Sequence, residues 1–196
     1  VITCAPNVPA GVVYSGYRNA WTVRERVDGI DVVRIWTFVA ANKGTLRRSL
    51  NYLSYLVSAV VHVLFWRRPD VIVATSPQFF CGWAGTIASW LKQRPFVLEI
   101  RDIWPESLVE VGVLTASWPA RALQWLEKAM YRSADHIVTV GQGYRIRLLE
   151  RGVPPEKISV ICNGVDRELF DADSWTDAPE IPVSPFICSY VGTIGM

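Results

Sequence analysis

Phe96-Val-Leu-Glu-Ile-Arg-Asp-Ile-Trp-Pro-Glu-Ser107 decides how this chain is read. The run from Phe96 to Ile100 is short and apolar, the pattern of a buried strand, and only Glu99 interrupts it. Beyond it the chain releases Arg101, Asp102, Trp104 and Glu106 within one loop. In an open parallel α/β sheet, the crevice that receives ligands lies beyond the carboxyl ends of the strands. Charges gathered there must pair with one another or act on a ligand, because an unpaired buried charge is too costly to keep. Two readings stay open at this point: an Arg–carboxylate network that braces a loop, and a ligand-binding cluster.

The flanking sequence alternates between strand-like and helix-like segments. Strands are expected at Asp31–Trp36, Val71–Thr75, His136–Val140 and Ile158–Cys162. Helices are expected at Leu46–Trp66, Phe79–Leu91, Pro119–Arg132 and Tyr144–Arg151. Strands separated by helices of this length imply βαβ units, and hence a Rossmann-like parallel sheet flanked by helices. Residues 1–170 form the expected first domain, the Asp/Pro/Ser-rich stretch 171–185 a linker, and 186–196 the first strand and turn of a second domain. Val1-Ile-Thr-Cys4 reads as the tail of a strand already under way.

Composition narrows the function classes. With 51% hydrophobic and 19% charged residues among 196, the chain can build a substantial core. A net charge of +2 gives no reason to expect nucleic acid. The charge is uneven, however: residues 1–70 hold nine Lys/Arg against four Asp/Glu, which favours an anionic partner such as a pyrophosphate or a phospholipid surface. Cys4, Cys81, Cys162 and Cys188 have no metal-ligand spacing; each sits in an apolar stretch, where a free Cys behaves as a small hydrophobe, and together they suggest a reducing compartment. His62 and His136 sit in apolar context and read as structural; no metal site is expected.

Three local patterns need separate reading. The segment Leu50–Trp66 is slightly short for a membrane span, and Asn51, Ser54, Ser58 and His62 form a polar stripe along it. A helix buried in the α/β layer is the preferred reading. A helix lying in a membrane interface, flanked by Arg47-Arg48 and Arg67-Arg68, is the alternative. Gly82, Gly85 and Ala88 share one side of the next helix and allow close packing on the sheet, while the free amides after Thr75-Ser76-Pro77 are suited to an anion. Gly141-Gln-Gly143 is half of a dinucleotide fingerprint, but position 146 is Ile, so a nicotinamide dehydrogenase is disfavoured. No nucleophile elbow, phosphate-loop lysine motif or Ser/His/Asp set occurs.

Taken in order, Glu99-Ile-Arg-Asp-Ile-Trp-Pro-Glu-Ser107, Val160-Ile-Cys-Asn-Gly-Val-Asp166 with Phe170, and Tyr190-Val-Gly-Thr-Ile-Gly195 resemble the family 4 retaining glycosyltransferases of the GT-B fold. Within that family the pattern is most similar to the fucosamine-transferase-like branch of bacterial O-antigen and capsule assembly. The resemblance implies a hexosyltransferase-type enzyme with its site between two Rossmann-like domains, of which this chain supplies the acceptor side. It implies a nucleotide-sugar donor, a lipid-linked saccharide acceptor, no metal and no other cofactor. The implied location is the cytoplasm, with peripheral contact at the anionic inner face of the plasma membrane. Arg101, Asp102 and Glu106 become the candidate catalytic residues; many relatives have His-Asp where this chain has Arg101-Asp102. Gly192, Thr193 and Gly195 fall where the family approaches the donor phosphates. Thr75, Ser76, Trp104, Asn163 and Gly164 fall along the acceptor cleft. Asn163-Gly164 also has a physical reading of its own, as a tight turn with positive φ.

The donor-binding basic pair and glutamates of the family lie beyond Met196, so the 196 residues alone are expected to be inactive. Two alternatives accompany this reading: a stand-alone acceptor-binding half with a separate donor-binding partner, and a Rossmann-type sugar-nucleotide epimerase or dehydrogenase.

Overall fold

Three consecutive βαβ units organise the chain. The computed structural model describes residues 1–41, 45–76, 79–103 and 118–165. It divides into two units, Val1–Cys162 and Asn163–Met196, and the first is described below. In chain order the elements are β1 (Ile2–Cys4), β2 (Thr22–Val27), β3 (Ile30–Ile35), α1 (Thr45–Phe65), β4 (Ile72–Ser76), α2 (Phe79–Lys92), β5 (Phe96–Ile100), α3 (Trp118–Ser133), β6 (His136–Thr139), α4 (Gln142–Glu150) and β7 (Ile158–Val160). Strands β4-β5-β6-β7 form a parallel sheet in that order, with α2, α3 and α4 as its crossovers.

Alternation along β5 shows how the sheet is anchored. Phe96, Leu98 and Ile100 are almost wholly buried, while Val97 and Glu99 on the opposite face are half-buried. The buried set packs with Ile137, Ile158, Met130 and Leu148, so the strands and the helices α3 and α4 share one core. Each such side chain contributes about 1.5–3 kcal/mol by leaving water. The expected small-residue side of α2 does pack closely. A Cβ added at Gly85 would lie 2.5 Å from Ala74 Cβ and 2.7 Å from Phe96 Cε2, and one at Gly82 would lie 2.5 Å from Met130 Sδ.

The first sheet departs from the all-parallel expectation. Strands β1, β3 and β2 lie in that order; β1 runs parallel to β3, but β2 is antiparallel to it. The reversal comes from Asp28-Gly29, whose φ values of 50° and 82° make a two-residue hairpin turn between Val27 and Ile30. That dipeptide sits between alternating apolar residues and was a readable hairpin signal. Across the hairpin, Arg34 Nη2 lies 2.6 Å from Glu25 Oε1, and its guanidinium stacks over Tyr17 at 4.7 Å.

Helix α1 connects the two sheets. Tyr55, Leu56 and Ala59 pack on Val33, Ile35 and Ala84, which ties α1 to β3 and α2. Its polar stripe turns toward the protein. Asn51 Nδ2 donates to Phe38 O at 2.6 Å, Ser54 Oγ accepts from Phe38 N at 2.8 Å, and His62 bridges Thr22 Oγ1 and Ser58 O. His136 likewise meets Ser159 Oγ at 2.9 Å, so both histidines have structural partners.

Candidate functional site

The carboxyl ends of β4, β5 and β6 converge on one rim. Register pairs Ser76 with Ile100 and Ile100 with Thr139, so Arg101 and Asp102 leave the sheet between the ends of β4 and β6. Three hydrogen bonds fix the departure. Arg101 N donates to Ser76 O at 3.3 Å, Ser76 Oγ donates to Asp102 O at 3.1 Å, and Thr75 Oγ1 donates to Ser76 O at 3.2 Å. Ser76 is buried and consumed by this bracing, whereas Thr75 is exposed. On the far side of the rim, Thr139 Oγ1 donates to Gly141 O at 3.3 Å, and Gly141 opens α4 without a side-chain cap.

Arg101 is exposed and Asp102 half-buried, while Ile103 next to them is buried and anchors the loop. Among the described residues neither Arg101 nor Asp102 forms an ion pair. The bracing of this loop is done by backbone and by Ser76 instead. A guanidinium and a carboxylate are thus presented at the strand ends on a rigid base, the arrangement a polar ligand requires. The ion-pair networks lie elsewhere. Glu127, buried on α3, accepts from Tyr131 Oη at 2.7 Å and lies 3.7 Å from Arg151 Nε.

The other expected site residues divide into two groups. Trp104, Glu106, Gly192, Thr193 and Gly195 lie outside the described residues. Asn163 and Gly164 belong to the second unit and are exposed. The expected turn at Asn163-Gly164 is not formed: among the described residues positive φ occurs at Gly11, Gly16, Asp28, Gly29, Gln93 and Gly152 only. Thr139 and Gly141 were not singled out as site residues. Their signal was the Gly141-Gln-Gly143 strand-to-helix turn, read only as an incomplete cofactor motif.

One cavity reaches Thr75 of this rim from the side. It holds about 400 Å³ between β1 and β4, floored by α1 and α2, and its lining includes Ile2, Ala74, Gly85 and Ala88. Tyr55 and Cys81 meet there, and burial raises the pKa of both and of Cys4. The neutral Cys81 thiol and Tyr55 phenol are poor nucleophiles, and the charged residues of the lining are Arg67 and Lys92. Among the described residues no group of His, Cys, Asp or Glu is arranged to hold a metal.

A family model described as a glycosyl transferase 4-like domain matches residues 4–164, which is nearly the whole first unit. The chain belongs to the glycosyl transferase 4-like family. It is 25% identical over 206 residues to the putative colanic acid biosynthesis glycosyl transferase WcaI of Escherichia coli (strain K12), covering all of this chain and 50% of that protein. It is 27% identical over 135 residues to the probable glycosyltransferase WbjE of Pseudomonas aeruginosa, covering 66% of this chain and 34% of that protein. The chain therefore spans half or less of the length of these curated relatives. Among solved structures, Anabaena Alr3699/HepE in complex with UDP-glucose aligns with a TM-score of 0.45 and 22% identity, covering 72% of this chain and 33% of that one.

Proposed function

We propose that this chain is the acceptor-side part of a glycosyltransferase that moves a sugar from a nucleotide-sugar donor to a lipid-linked saccharide in bacterial surface-polysaccharide synthesis. The observation that carries the reading is the family match over 4–164. The rim geometry supports it, because among the described residues Arg101 and Asp102 stand at the strand ends without an ion-pair partner. In the proposed reaction an acceptor hydroxyl forms the new bond to the anomeric carbon, with retention. The bond from that carbon to the donor phosphate oxygen breaks, the nucleoside diphosphate leaves with the electron pair, and the proton of the acceptor hydroxyl passes to the departing phosphate oxygen. Arg101 binds a phosphate oxygen, and Asp102 orients a sugar hydroxyl by accepting its hydrogen bond. Glu106, in the same loop, is the third candidate, and Gly192, Thr193 and Gly195 are proposed to approach the donor phosphates. Neither a metal nor another cofactor is needed in this scheme. Work at the cytoplasmic face of the plasma membrane follows from the acceptor.

The epimerase or dehydrogenase alternative has no support in the family match. The test is transfer of labelled sugar from a panel of nucleotide-sugars to a polyprenyl-pyrophosphate-linked acceptor, using the protein expressed from its native gene. Asp102→Asn and Arg101→Ala are each expected to lower kcat/KM at least about a hundredfold with melting unchanged. Full transfer by both variants would remove these residues from the site. The 196 residues alone are expected to bind acceptor without turnover.

A further inference from the structure

A cationic cleft lies at the amino end of the parallel sheet, away from the rim. The end of α3 meets the turn that joins α4 to β7, and the two enclose about 270 Å³. Lys128 and Arg132 line this cleft from α3, while Arg151, Gly152, Pro154 and Lys157 line it from the turn. Four of its lining residues are cations and none is an acid. Ile158 opens β7 here, so the cleft and the rim of Arg101, Asp102 and Thr139 stand at opposite strand ends and share no residue.

Cations at the end of a helix have an ordinary role, which is to meet the partial negative charge of its last carbonyls. That role accounts for Lys157, whose Nζ donates to Arg132 O at 3.0 Å. Arg151 is ion-paired instead, with Nε 3.7 Å from Glu127 Oε2. Lys128 and Arg132 are explained by neither. Both are exposed, and among the described residues their side chains form no hydrogen bond or ion pair. They stand four residues apart on α3, where like charges repel. Compensation from the protein is incomplete. Glu127 offsets one cation, the two helix ends supply about half a negative charge each, and Asp135 reaches Lys157 while accepting from Phe96 N. With all of these counted the cleft stays positive. Burial also lowers the pKa of Lys157, a cost that a bound anion would relieve.

The shape and chemistry of the cleft select the anion. Arg presents a fork of donors and Lys a point charge, and the two together suit the several oxygens of a phosphate group. An acidic peptide would need backbone donors, but Gly152 N and Val153 N are already bonded to Leu149 O and Leu148 O. We propose that this cleft binds a soluble phosphate-bearing anion about the size of pyrophosphate, held by Lys128 and Arg132 on one side and by Arg151 and Lys157 on the other. No residue of the rim takes part, so the proposal stands or falls independently of sugar transfer.

Lysine footprinting of the protein expressed from its native gene tests it. Inorganic pyrophosphate is expected to slow acetylation of Lys128 and Lys157 by acetic anhydride at least about fivefold, and to leave Lys92 on α2 unchanged. Lys128→Gln/Arg132→Gln keeps Lys157 as reporter and is expected to raise the pyrophosphate concentration needed for protection at least about tenfold. Arg24→Gln/Arg26→Gln removes the same charge from exposed positions of β2 and is expected to leave that concentration unchanged. Both double variants alter exposed side chains and should keep the wild-type melting curve. Three results overturn the proposal: no protection of Lys128 and Lys157, equal protection of all three lysines, or an unchanged midpoint in the Lys128→Gln/Arg132→Gln variant. Vesicles containing phosphatidylglycerol test the other source of a phosphate group. Protection of Lys128 and Lys157 by these vesicles and not by pyrophosphate also overturns it.

Discussion

Helices α1 and α2 pack on one another, both are rich in apolar residues, and they are assembled in opposite senses. In α2 the small residues Gly82, Gly85 and Ala88 turn inward and let the helix approach the sheet to van der Waals distance. In α1 the inward side carries a polar stripe of Asn51, Ser54 and His62 beside Tyr55, Leu56 and Ala59, and a line of leucines turns out. The difference shows that mean hydropathy does not decide which face of a helix is buried. Where a helix covers a complete sheet, every backbone group beneath it is already paired, and small apolar residues fit best. Where it covers a loop such as that at Phe38, the loop's amide and carbonyl lack strand partners, and the helix must supply polar side chains instead.

The strongest way to break the comparison is to enlarge the close-packed side. Gly85→Val places methyl groups against Ala74 and Phe96 and is expected to cost about 3 kcal/mol, read as a fall in thermal or urea midpoint. A wild-type melt would mean that α2 stands off from the sheet. A second measurement probes the seam, where Tyr55 of α1 and Cys81 of α2 line one cavity. Burial raises both pKa values, so above about pH 9 the unfolded chain loses protons that the folded chain keeps. Stability from this pair is therefore full below the ordinary thiol pKa of 9.0 and declines as pH rises past it. Each group that ionises only on unfolding steepens the decline by about 1.4 kcal/mol per pH unit. Urea midpoints that stay flat from neutral to about pH 10 would show an open seam. The smallest effect sharpens the polar side: Ser54→Ala strips Phe38 N–H of its acceptor at 2.8 Å and is expected to cost about 1 kcal/mol.

Much of the parallel sheet was legible because its signals are local. The run Phe96–Ile100 reads as a strand on its own, and the helix-length spacers around it leave few topologies. The hairpin of β2 and β3 is equally local, carried by Asp28-Gly29, a turn signal that the sequence reading above does not use. The orientation of α1 was not legible in the same way. Its polar stripe is visible in sequence, but which face of a helix turns inward depends on an unpaired loop at Phe38, more than ten residues upstream. The placement of Arg101 and Asp102 at the strand ends was legible from their position after β5; whether they pair with one another depends on loop geometry that residue types do not encode. Thr139 and Gly141 join the rim only through the pairing of β5 with β6.

The two sheets also end differently at their margins. The outer strand β2 carries Arg24, Glu25 and Arg26, charges that keep another chain from adding to it. The free margin of β4, reading Ile72-Val-Ala-Thr-Ser76, has no charge at all and opens on the apolar cavity beside β1. An uncharged edge lacks the guard that Arg24, Glu25 and Arg26 give β2.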